Sequence, residues 1–207
     1  MVYRNLVVCI ALFAMGASAM ANEEPQYRVT YSDERFELRE YAPYLVAETR
    51  VAAPFDQAGN EAFSILAGYI FGNNRGQQKI EMTAPVSQVP ASEKIEMTAP
   101  VSQMPDSSAE EAYVFSFVMP SRYTRATLPV PLDAGVNVRE MPARTMAVIA
   151  YSGTWSRSRY EAQEQTLLTA VRTAGLKTVG KPVFARYNPP FMPWFLRRNE
   201  VMIEVLP

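Results

Sequence analysis

Arg39-Glu40-Tyr41-Ala42-Pro43-Tyr44-Leu45-Val46-Ala47 returns in outline as Arg139-Glu140-Met141-Pro142-Ala143-Arg144-Thr145-Met146-Ala147. The Arg-Glu pair and the closing alanine recur at an offset of 100 residues. At the same offset Phe55 matches Trp155, each an aromatic at the start of a helical stretch. An order and an offset that persist beyond the short match point to a duplicated unit. Each copy sits in the same plan: strand, proline-containing turn, strand, helix, strand, loop, strand.

The first half fills that plan as follows. Phe36 to Tyr41 alternates apolar and polar residues, as a half-buried strand does. Tyr44 to Val51 is its partner beyond the Ala42-Pro43 turn. Phe55, Ala58, Ala62, Phe63, Leu66, Ala67 and Ile70 recur at three- and four-residue spacing and predict an amphipathic helix. Gly72-Asn73-Asn74 is its stop signal. In the second half Tyr160, Leu167, Leu168 and Val171 predict a matching helix that ends at Gly175. Tyr113–Val118 and Val201–Val205 are the closing strands. Two such units most easily join into one curved or barrel-like antiparallel sheet with a helix packed against each half.

A second repeat is literal. Lys79-Ile80-Glu81-Met82-Thr83-Ala84-Pro85-Val86-Ser87-Gln88 recurs unchanged as Lys94 to Gln103, fifteen residues on. Each copy places Ile, Met and Ala on one face and carries a proline that removes a ladder donor. The two copies could pair as a hairpin, or one could replace the other in the sheet and leave a loop.

The N-terminus has the three-part layout of a secretory signal: Arg4, the apolar run Leu6–Met15, then small residues giving a cleavage site before Asn22. Residues 1–21 are therefore expected to be removed, leaving 22–207 in the periplasm or secreted, with no stable membrane insertion afterwards. Cys9 goes with the signal, and the chain has no histidine. Loss of Arg4 leaves 19 basic against 21 acidic residues. That balance argues against nucleic acid as partner. The absence of His and Cys argues against catalysis. Acid–base work would fall to Glu81 and Glu96, which sit in alternating strand positions that face solvent.

Three motifs carry a family resemblance: Lys-Ile-x-Met-Thr-x-Pro-Val after the first helix; Phe117-Val118-Met119-Pro120 with Leu128-Pro129 beyond it; and Tyr187-Asn188-Pro189-Pro190 leading to Arg197-Arg198-Asn199-Glu200. In this order, over roughly Tyr27 to Leu206, the chain resembles the SOUL family of haem-binding proteins. The resemblance implies an α+β fold, a distorted antiparallel β-barrel of two pseudo-symmetric βαβ-type halves with two long helices. That agrees with half-repeats at about 27–118 and 136–206. It also implies haem or another tetrapyrrole as ligand, held in an apolar groove between the helix 55–71 and the loop 187–199. Mapped onto these residues, the groove takes Phe63, Leu66, Tyr69 and Ile70 from the helix. The loop supplies Met192, Trp194, Phe195, Arg197 and Arg198. The family's mammalian members carry a lysine where Met192 stands, so one carboxylate partner is missing.

The loop suits such a site on its own terms. Pro189 to Leu196 is apolar and stiffened by proline, and Arg197-Arg198 follow where an amphiphile's carboxylates would emerge. The alternative is a proline-rich plug of core with the arginines in surface ion pairs. With no histidine, the iron is either not ligated by protein or takes Tyr69, Tyr187 or Met192. The sequence therefore predicts a low-affinity carrier or buffer of tetrapyrrole. The competing reading is a binding module for another amphiphilic small molecule, or for a protein not identified by the sequence, on the same groove.

Overall fold

Alternation and helical spacing translate directly into elements. A computed structural model of the chain describes residues 23–90 and 112–206. The expected signal segment and the second copy of the literal repeat lie outside them. The elements are β1 (Tyr27–Ser32), β2 (Glu37–Tyr41), β3 (Tyr44–Ala52), α1 (Phe55–Ile70), β4 (Val86–Pro90) and β5 (Ala112–Val118). The second half supplies β6 (Val136–Met141), β7 (Arg144–Tyr151), α2 (Arg157–Thr173), β8 (Thr178–Arg186) and β9 (Asn199–Val205). Gly72 and Gly175, at φ +121° and +73°, turn the chain out of the two helices in a conformation that costs a side-chain-bearing residue more.

All nine strands form one curled antiparallel sheet in the order β1-β2-β7-β9-β8-β4-β5-β3-β6. Apart from β1, that order is a palindrome about the β8–β4 seam. The duplication is visible residue by residue. Tyr41 pairs with Arg144 across β2 and β7, and Met141 pairs with Tyr44 across β6 and β3. Glu37 with Val148 and Asn137 with Glu48 repeat the relation at the same offset of 100. β1 has no counterpart. It is an edge strand exposed on both faces, which gives its sequence no burial pattern to read.

Both helices lie on one face of the sheet, α1 on β3 and β5, α2 on β7 and β9. Between helices and sheet sits the main core, with Leu66, Tyr69, Phe115, Phe117, Leu167, Phe184 and Ile203 almost wholly buried. Tyr41, Met146, Val148, Ala185 and Met202 form a smaller cluster on the helix-free face. Pro85 stands immediately before β4, so its missing N–H falls outside the ladder and β4 is a central strand between β5 and β8.

A buried ion cluster ties the helix-free face together. Glu200, on β9, is fully buried. Both its oxygens accept from Arg39 Nη1 of β2 at 3.0 Å, and Oε1 also accepts from Arg198 Nη2 at 2.8 Å. Tyr187 Oη donates to Oε2 at 2.6 Å. Arg39 is further bound to Glu37, and Arg198 to Glu24. Removing Glu200 would leave the Tyr187 hydroxyl without its acceptor and both guanidiniums with only their more exposed partners, Glu37 and Glu24. We expect Glu200→Ala to destabilise the fold by about 3–5 kcal/mol in urea unfolding. Glu48→Ala, which breaks the more exposed Arg139 pair, should cost no more than about 1 kcal/mol.

Candidate functional site

The β8–β9 connection is a structured platform. Tyr187 N–H donates to the Arg198 carbonyl and Arg198 N–H to Asn188 Oδ1, closing its base. Arg197 folds back over it, Nε donating to the Met192 carbonyl at 2.7 Å and Nη2 to the Pro190 carbonyl at 2.6 Å. A 3-10 turn at Trp194–Leu196 completes the tip. With its polar backbone bound inward, the loop turns its apolar side chains outward. Phe191 is 85% exposed, and Trp194, Phe195 and Leu196 are each more than half exposed. Trp194 and Phe195 meet edge to face at 5.5 Å. Large apolar side chains gathered in solvent on one loop are the kind of surface through which contacts are made.

A stack of flat groups joins the platform to α1. The Arg197 guanidinium lies 4.4 Å from the centre of the Trp155 ring, whose other neighbour is the Arg186 guanidinium at 5.1 Å. Arg186 in turn lies against Gly59 of α1, where an added Cβ would meet Nη1 at 3.0 Å. Trp155 is fixed by its indole N–H to Asn199. Gly59 and Trp155 are structural parts of the site that sequence reasoning passed over. The offset match of Trp155 to Phe55 was the one signal that pointed near them.

The residues expected from sequence divide by position and exposure. Phe63 is partly exposed on α1, packed against Phe117, and Phe71 at the helix end is more exposed still. Leu66, Tyr69 and Ile70 face the core and are buried; Tyr69 Oη donates to the Pro129 carbonyl at 2.7 Å. In the loop, Trp194 and Phe195 stand on the surface, with Met192 partly buried beneath. The two arginines have different tasks. Arg198 is committed to Glu24 and Glu200, while Arg197 keeps Nη1 without a hydrogen-bond partner among the described residues. Glu81 is exposed and paired with Arg122; Glu96 lies outside the described residues.

Exposed aromatics of this kind can pack against a flat apolar ring, and Arg197 Nη1 can donate to a carboxylate at its rim. What it does not offer is an imidazole. Nor is a phenol at hand, because Tyr69 and Tyr187 hold their hydroxyls inside hydrogen bonds. Burial raises both phenols above their usual range, with the negative charge of Glu200 adding to the effect at Tyr187. Raising the pKa disfavours the anionic oxygen that a ferric ion prefers. Among the described residues no three of His, Cys, Asp or Glu cluster as metal ligands. A separate cavity of about 330 Å³ opens on the helix-free face among Tyr27, Tyr41, Tyr44, Tyr187 and Met202; Tyr187 is the one candidate iron ligand in its lining, and none of the expected groove residues is there.

The family model described as SOUL heme-binding protein matches residues 22–92 and 87–204. "Heme-binding protein 2" of Mus musculus is 27% identical over 207 residues, covering 92% of this chain and 94% of its own. "Heme-binding protein 1" of Sus scrofa is 26% identical over 152 residues, 72% of each chain. Among solved structures the EcmrR C-terminal domain superposes with a TM-score of 0.60 at 12% identity. It covers 87% of this chain and 98% of that one, which shows a shared fold alone.

The buried tyrosines set the alkaline limit of the fold. Tyr69 is pushed up to about 12, while an unfolded tyrosine ionises near 10. Below pH ~10 both states hold the proton and the contribution is complete. Between about 10 and 12 the unfolded chain loses its proton first, so stability falls as pH rises. Urea unfolding followed from pH 8 to 12, with tyrosinate absorbance recorded in parallel, should show this loss only above pH ~10.

Proposed function

We propose that this chain, which belongs to the SOUL heme-binding protein family, is an exported tetrapyrrole-binding protein that carries or buffers haem at low affinity. The observation that carries the reading is the exposed, internally braced platform of Phe191, Trp194, Phe195 and Leu196, with a spare Arg197 nitrogen beside it. The porphyrin lies with one face on these side chains and its edge towards Phe63 and Phe71 of α1. Arg197 meets a propionate, and Arg198 holds the platform's base. Haem, when bound, would supply the iron and whatever redox or gas chemistry follows. The protein supplies a hydrophobic seat and a cation.

Affinity follows from area. Covering about 400 Å² of apolar surface at roughly 25 cal/mol/Å² contributes about 10 kcal/mol. Lost ligand freedom opposes it by at least about 4 kcal/mol, leaving a Kd in the tens of micromolar by order of magnitude. No histidine strengthens it through iron. Weak binding suits exchange between stronger sites, and export through the N-terminal signal places that exchange in the periplasm or outside the cell.

Haemin titrated into the purified chain should shift and saturate the Soret band and quench tryptophan fluorescence at those concentrations. Trp194→Ala combined with Arg197→Ala should weaken binding at least about tenfold, equal to about 1.4 kcal/mol. A flat titration of the parent chain rejects the haem reading. Unchanged binding by the double variant moves the seat away from the platform. N-terminal sequencing of the exported protein should begin near Asn22.

A further inference from the structure

The literal repeat at Lys79–Gln88 and Lys94–Gln103 is not explained by the function proposed above. Its first copy fills a demanding seat. Ile80 is buried, and its N–H donates to the Ile70 carbonyl at 2.8 Å. The Thr83 hydroxyl donates to the Val118 carbonyl, and Ala84 N–H to the Glu23 carbonyl at 2.9 Å. β4 then pairs with β5 on one side and β8 on the other, while buried Gln88 accepts from Arg186 Nη2 at 3.0 Å. Ile80, Thr83, Ala84, Val86, Ser87 and Gln88 all recur, unchanged, fifteen positions on. The strand continues as Val89-Pro90 in one copy and Met104-Pro105 in the other, a like-for-like apolar exchange.

The pseudo-symmetry shows that the first half carries a segment the second lacks. Val46 and Met146 correspond at an offset of 100, yet their partners, Val118 on β5 and Glu204 on β9, stand 86 apart. The shortfall of fourteen is within one residue of the fifteen-residue offset between the two copies. The match to the family model also divides at residues 87–92, where the first copy ends.

We propose that the β4 seat is degenerate, accepting Lys94–Gln103 in place of Lys79–Gln88. The exchange moves fifteen residues from the β4–β5 connection to the α1–β4 connection and leaves the sheet order unchanged. Two opposed effects bring the arrangements close in energy. The first copy is favoured by the knot before it: Asn74, buried, donates to the Tyr69 and Gln78 carbonyls and accepts from Gln78 N–H. The residues preceding the second copy, Val89 to Glu93, contain no such asparagine. The second copy is favoured by closure, because residues 106–111 would then join β4 to β5 where 91–111 do now; closure entropy grows only logarithmically, so this shortening outweighs the lengthening of the α1–β4 connection from 71–85 to 71–100. The inference does not rest on the haem reading. Because the α1–β4 connection begins beside exposed Phe71, a ligand on that surface could favour one arrangement over the other.

Single and paired charge substitutions test it. Ile80→Asp in the full chain should keep a cooperative thermal transition, because the second copy takes the seat, and Ile95→Asp alone should change nothing. The two together should abolish the transition, as should Ile80→Asp in a chain lacking residues 94–108. A second measurement locates the occupant. Ser87 is paired with Ser116 across β4 and β5. In a Cys9→Ser background, Ser102→Cys with Ser116→Cys should therefore cross-link under oxidation once Ile80→Asp is added. Three results overturn the proposal: Ile80→Asp alone unfolding the chain as fully as the pair, a folded Ile80→Asp chain without that cross-link, or a folded double variant.

Discussion

One fully buried carboxylate organises the helix-free half of this molecule. Glu200 has no access to water, and two guanidiniums and a phenol surround it. The partners come from β2, from the end of the β8–β9 loop and from its beginning, and through Arg198 the cluster reaches Glu24 ahead of β1. Buried ion pairs offer little net stability over an apolar substitute, but they penalise any arrangement that separates them. The cluster therefore acts on geometry. It fixes the β8–β9 loop at its base, and the loop in turn presents the exposed aromatic platform.

The same cluster shows where the duplication stopped being symmetrical. Arg139 answers to Arg39 at the offset of 100, and it pairs with Glu48 at the sheet surface. The position that would give Arg39 the equivalent partner is Val148, so Arg39 reaches past β7 to Glu200 on β9. The backbone registers kept the symmetry while the ion pairs abandoned it. One half became the edge-facing frame and the other the bearer of the platform.

Much of this architecture is legible in the sequence, for identifiable reasons. Both helices and the strands around the Arg-Glu motifs follow from periodicity, because each has one face in the core and one outside. β1 was invisible because it is exposed throughout, so burial imposes no alternation on it. The site was legible in part. The loop's outward aromatics announce themselves as apolar residues where backbone chemistry forbids a core element. On α1, spacing locates an apolar stripe but does not say whether the stripe meets ligand or protein. Leu66, Tyr69 and Ile70 turned out to meet protein, leaving Phe63 and Phe71 outside. Nor does the pair Arg197-Arg198 reveal that one braces the loop from above and the other anchors it below.

The bracing of that loop by Arg197 also bears on time. A platform already folded, with its aromatics in solvent, needs no lid to open before a ligand lands or leaves. If the proposed haem seat binds in the tens of micromolar, association at an ordinary rate of about 10⁶ M⁻¹s⁻¹ implies release in tens of milliseconds. A haem held that briefly can pass along a gradient from donor to acceptor without a triggering event, its direction set only by which neighbour binds more tightly.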